Sequence, residues 1–220
     1  PLPIGKRLSG LFAARVRALD AGARTVLLLA SAERLGDPRL LRRAADAVGH
    51  LSWDDAVAKA EASGLVTFTP TVEFRHPLVR STVYYSATAS DRRSAHTALA
   101  AALDAEADAD RRAWHLGAAA AGPDEQVARA LEASAERARQ RGGSSAAAVY
   151  LWRAAELTPD PGRASERLLE AARAELVAGH GPQARQILDR ARASGLGTEH
   201  DADAAWTEAL IHIVAGNVRE

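Results

Sequence analysis

The chain has 220 residues, 47% hydrophobic and 25% charged, a balance that fits one or two globular domains. Its 28 basic and 28 acidic residues cancel, so it lacks the overall positive field of a nucleic-acid binder. It contains no cysteine, which excludes disulfides and thiolate metal sites, and no apolar run long enough to span a bilayer. The opening Pro1-Leu2-Pro3-Ile4-Gly5 lacks the charged and apolar regions of a signal peptide, so a cytoplasmic location is expected. Methionine is absent, and lysine occurs only at Lys6 and Lys59 against abundant arginine and alanine. These features suggest an excised segment encoded by a GC-rich genome.

Alanine, leucine, arginine and glutamate dominate, and all favour helix. Asp37-Pro38, Gly122-Pro123, Asp160-Pro161 and Gly181-Pro182 each place proline at a helix start behind a capping residue. Ser52 followed by Asp55 reads as a capping box with Asp in place of Glu. Together these signals predict helices near 8–20, 22–34, 38–48, 53–63, 77–86, 89–106, 110–121, 124–141, 144–157, 162–178, 182–193 and 200–215. One segment departs from helical periodicity. Val66 and Phe68 alternate with Thr67 and Thr69, then Val72 and Phe74 alternate with Glu73 and Arg75. That is a short β-hairpin around Thr69-Pro70-Thr71, and it must pack on helices because a lone hairpin is marginal in water. The helix containing Thr25-Val26-Leu27-Leu28-Leu29-Ala30 is apolar all round and reads as the centre of a core. Three helices followed by a hairpin, about 22–76, form the order of a winged-helix module, with the next helix closing it.

The second half carries a longer period. Gly142, Gly179 and Gly216 are 37 residues apart, each near a predicted helix end. The same offset maps Ala147, Leu151 and Ala154 onto Ala184, Leu188 and Ala191. Small residues let paired helices approach closely, which is the pattern of a tetratricopeptide-like solenoid. Trp206, Leu210 and Ile213 recur at helical spacing after it and are expected to lack cover.

Familiar chemistry is missing. No phosphate loop occurs, since Gly5-Lys6-Arg7 is too short and wrongly flanked, and no nucleophile elbow, zinc helix or EF-hand loop is present. His50, His76, His96, His115, His180, His200 and His212 are scattered without metal-ligand spacing, and His200 beside Asp201 and Asp203 reads as a solvated helix start. No metal, cofactor or catalytic set is expected in this chain. Ser52 to Glu61, the helix that would enter a DNA groove, carries Asp54, Asp55 and Glu61 against Lys59, so phosphate would repel it. Arg111-Arg112-Ala113-Trp114-His115-Leu116 reads as a helix that buries Trp114 and exposes its arginines. His76, just ahead of Pro77, suits either of two roles: it caps the following helix, or it donates to an anion with Arg75 and Arg80 nearby.

Taken in order, Phe74-Arg75-His76-Pro77-Leu78-Val79-Arg80, Arg92-Arg93-Ser94-Ala95-His96, Arg111-Arg112-Ala113-Trp114-His115-Leu116 and Ala155-Glu156-Leu157-Thr158-Pro159 resemble the large LuxR-type regulators of actinobacteria. That family is similar to the maltose regulator MalT and belongs to the STAND class of signalling ATPases. The resemblance runs from about Leu2 to Gly195. It implies a mainly α fold, with 1–21 a connecting helix from an ATPase domain, 22–86 a winged helix, 87–122 linking helices and 123–220 tetratricopeptide-like repeats truncated at the C-terminus. It further implies that His76, with Arg75 and Arg80, senses the phosphate of ADP, although the family's Met-His-Asp is here Arg75-His76-Pro77. The implied function is to couple an effector or protein partner on the repeats to the nucleotide state of a P-loop domain. ADP or ATP with Mg would bind that domain, and a C-terminal helix-turn-helix would bind DNA. The fragment alone would be neither an ATPase nor a DNA binder, and would touch no membrane. A stand-alone helical scaffold for protein partners is the alternative.

Overall fold

In the computed structural model, which describes residues 4–49 and 52–216, the chain is mainly helical. His50 is thereby outside the described residues. Twelve α-helices and one two-stranded sheet are present among the described residues. In chain order these are α1 (Ile4–Arg17), α2 (Ala21–Ala32), α3 (Pro38–Val48), α4 (Trp53–Ala62), β1 (Val66–Thr67), β2 (Glu73–Phe74), α5 (Pro77–Ser86), α6 (Ala89–Ala102) and α7 (Ala109–Ala119). There follow α8 (Glu125–Gln140), α9 (Ser144–Leu157), α10 (Pro161–Val177), α11 (Gly181–Ala193) and α12 (Asp201–Gly216). No described helix is long and apolar enough to cross a membrane.

Side-chain caps set half of the described helix starts. Asp20 Oδ1 accepts from the Ala23 N–H at 2.8 Å, Asp37 from Arg39 at 2.9 Å and Asp160 from Arg163 at 2.8 Å. Asp20 therefore begins α2 and cannot continue α1, which ends at Arg17 instead of running to 20. Three further expectations are corrected. Pro123 lies outside α8, because Asp124 is the cap and accepts from Val127 at 3.1 Å. The Ser52–Asp55 capping box does not form: Ser52 makes no side-chain cap, and Asp55 turns to Lys59 at 2.5 Å. The sixth helix stops at Ala102 instead of 106, because Asp104 Oδ1 takes the Glu106 and Ala107 N–H groups at 2.9 and 2.8 Å, a turn that competes with helix.

The chain divides into two compact units, Pro1–Ala119 and Ala120–Glu220. In the first, α2 is the central helix: Val26, Leu27 and Leu29 are fully buried, and α3, α4, α5 and α6 pack against it. The hairpin pairs Val66 with Phe74 and Thr67 with Glu73, and buried Phe68 meets Trp53 of α4 edge-on at 5.9 Å. The Val72 N–H donates to the Gly36 carbonyl at 2.9 Å, which ties the hairpin to the α2–α3 loop.

In the second unit each helix from α8 to α11 packs on the next, as the short connections require of neighbouring helices. Ala147, Leu151 and Ala154 of α9 are buried, as are Ala184, Leu188 and Ala191 of α11, so the 37-residue offset joins equivalent core positions. The same offset holds on the partner helices, where Ala128, Leu131 and Ala135 of α8 correspond to buried Ser165, Leu168 and Ala172 of α10. Gly142 and Gly179 close α8 and α10 at φ +77° and +84°.

Candidate functional site

Backbone need explains the first candidate residue. A helix start leaves N–H groups without partners, and His76 Nδ1 accepts the one from Leu78 at 3.0 Å. The cap requires a lone pair on Nδ1, so the neutral ring carries its proton on Nε2. His76 and Arg75 are exposed, with the His76 ring 6.4 Å from Phe12 of α1. Arg80 is used differently. Its Nε donates to the Ser31 carbonyl at 3.0 Å, and its Nη2 donates to the Glu33 carbonyl, so it closes the C-terminal end of α2. The three residues expected together therefore separate, with His76 and Arg75 facing outward and Arg80 tied to backbone.

Glu33 links this end of α2 to a buried polar chain. Its carboxylate faces His115 Nε2 at 3.3 Å and Arg111 Nη2 at 3.0 Å, and Oε1 accepts from the Leu35 N–H at 2.9 Å. Burial would raise its pKa, but the bonds from His115, Leu35 and Arg111 outweigh it and hold the carboxyl at about 2. Beyond His115, the His96 and His115 Nδ1 atoms stand 2.8 Å apart, and His96 Nε2 is 2.9 Å from the Tyr84 hydroxyl. Both imidazoles are buried. Sequence spacing alone did not associate these histidines, which are 19 residues apart. One signal was available: helical periodicity puts His96 on the same face as Ala95 and Leu99, inside the core.

The expectation for α7 is reversed. Trp114 is 38% exposed, whereas His115 is buried and Arg111 is partly covered beside Glu33. A buried carboxylate on α2 demands cationic or donor partners, and α7 supplies them by turning that face inward. His200 stands just ahead of α12, whose first-turn Asp201 and Asp203 are exposed; its Nε2 lies 3.4 Å from Glu166 of α10, while Asp203 pairs with Arg173 at 2.7 Å. Glu166, Glu199 and His200 bring three ligand atoms within 4.8 Å of one another, a set whose oxygen and nitrogen donors suit a divalent cation. On α4, the ammonium of Lys59 is taken by Asp20 at 2.8 Å and by Asp55, leaving this helix face without a free cation for phosphate.

Polar clamps also order the second unit. Arg167, only 3% exposed, reaches Glu125 at 3.0 Å, Glu132 at 2.8 Å and the Thr158 hydroxyl. Trp206 and Ile213 of α12 are 64% and 58% exposed, as the sequence led us to expect, whereas Leu210 is half-buried. Comparison with protein-family models, curated proteins and solved structures found no match to this chain.

Proposed function

We propose that this chain is the signal-coupling segment of an ATP-dependent LuxR-type regulator of the STAND class. The observation that carries the reading is His76 at the head of α5, capped through Nδ1 and exposed, which leaves Nε2–H to donate to an anion. Arg75 stands beside it in sequence, and Arg80 anchors α5 to the end of α2. Three helices closed by a hairpin support a winged-helix module over 22–86. The offset of buried positions supports tetratricopeptide-like repeats over 123–220. On this reading ADP, ATP and Mg are held by a P-loop domain of the complete regulator, and an effector or partner on the repeats shifts its nucleotide state. The segment itself turns over no ATP. The test is His76→Ala in the complete regulator. A lost hydrogen bond to phosphate costs roughly 1.5–3 kcal/mol, so ADP should weaken about tenfold or more relative to ATP. An unchanged ADP-to-ATP ratio beside a lowered melting temperature would leave His76 as a helix cap alone.

Exposed Trp206 and Ile213, with half-buried Leu210 between them, favour a second reading, a helical scaffold for protein partners. That reading gains if the complete protein binds no nucleotide and Trp206→Glu abolishes partner capture.

A further inference from the structure

The buried chain from Tyr84 to Glu33 has no part in the proposed function, and its hydrogen positions follow from donor chemistry alone. Glu33 is ionised and can only accept, so His115 donates from Nε2 across 3.3 Å. Neutral His115 then offers a lone pair at Nδ1, and His96 must donate from its own Nδ1 across 2.8 Å. His96 Nε2 accepts in turn from the Tyr84 hydroxyl at 2.9 Å. The pair thus holds two ring protons. A third is tolerated: His115 becomes an imidazolium against Glu33, His96 changes tautomer, and its Nε2–H donates to the Tyr84 oxygen. A fourth is not. Both Nδ1 atoms would carry hydrogens pointing at each other, with two positive charges side by side.

We propose that the His96–His115 pair is an acid-released latch, which holds α7 on α6 with three ring protons or fewer and lets go when both rings become imidazolium. From α5 come Arg80 and Tyr84, from α6 Arg92, from α3 Arg43, which bonds the Ala102 carbonyl, and from α7 Arg111. Against these cations stand Glu33 at the end of α2 and Asp108, which is paired with Arg111 at 2.8 Å. Burial, with the charges of His115 and Arg92, pushes His96 down to about 4, so the pair resists its second charge until the solution is distinctly acid. The latch does not depend on the regulatory reading above.

Amide hydrogen exchange of the full chain, corrected for intrinsic pH dependence, tests it. Between about pH 6.5 and pH 4, peptides of α7 should lose about tenfold in protection while those of α9, α10 and α11 keep theirs. His96→Gln retains one donor and one acceptor but cannot be charged, and should abolish the acid response of α7. Protection of α7 that stays constant, falls in step with every helix, or still falls in His96→Gln overturns the latch. If that variant does not fold, nitrogen-detected NMR titration of the native imidazoles decides the matter. Loss of the Nδ1···Nδ1 bond together with α7 protection supports the latch, and two imidazolium rings with α7 still protected overturn it.

Discussion

Gly36 shows how one residue without a side chain joins two elements. Its φ is +67°, and a Cβ added there would sit 2.8 Å from the Val72 carbonyl oxygen. Gly36→Ala should therefore lose about 1–3 kcal/mol, from an unfavourable backbone region and from pushing the hairpin off the α2–α3 loop. Denaturant unfolding measures this, and a loss under about 0.5 kcal/mol would mean that the loop yields freely. Arg167 is the contrasting case of a buried charge with three partners. Its hydrogen bond is the largest influence holding Glu125 at about 2, and Arg129 and Arg163 add to it against burial. Arg167→Met keeps the stem packing and removes the bonds. We expect a loss of about 1.5–3 kcal/mol, bounded because Glu125 and Glu132 lie far enough out to recover water. The aspartate caps at Asp37 and Asp160 were readable in the chain because their partners are two or three residues away. Arg167 was not, since its partner Glu125 lies 42 residues off.

Among the elements, the helices of the second unit were the most legible. Their core positions recur at a fixed offset, and periodicity follows directly from which face a helix buries. Leu151→Ala and Leu188→Ala occupy matching places and should each cost about 2–5 kcal/mol, the usual range for emptying a buried leucine site. Thermal or urea unfolding of the two variants would show it, and losses below about 1 kcal/mol at one site alone would break the equivalence. α7 teaches the opposite lesson. Tryptophan is ordinarily the better residue to bury, yet His115 takes the inner place and Trp114 the outer one. The buried carboxylate of Glu33, 82 residues away, reverses the local preference.

For the whole molecule, charge and proton binding give two further expectations. With a net charge of zero and Lys59 held by two carboxylates, the chain should show no salt-dependent duplex affinity at physiological ionic strength. Sub-micromolar binding that weakens steeply with salt would contradict this. Stability should also depend on pH in two successive windows that overlap slightly near pH 4. His96 is depressed from 6.5 to about 4 in the folded chain, so the native state binds fewer protons than the unfolded one. Stability is then full above about 6.5 and falls toward pH 4, by roughly 3 kcal/mol if His96 acts alone. Glu33 and Glu125, lowered from 4.5 to about 2, contribute stability above 4.5 that is lost as pH falls toward 2. Melting temperatures across pH should show the upper window vanish in His96→Gln while the lower one persists.

Helical class, the hairpin, most helix starts and the 37-residue offset of core positions were legible along the chain. Each of these depends on residues within a few positions of one another or on a period that recurs along the chain. Tertiary structure alone decided that Arg80 is spent on the end of α2, that α7 turns His115 inward and that His96 meets it. Those outcomes rest on hydrogen bonds between groups tens of residues apart. A buried polar atom takes whichever partner the packing brings within about 3 Å, and periodicity along the chain carries no record of that choice.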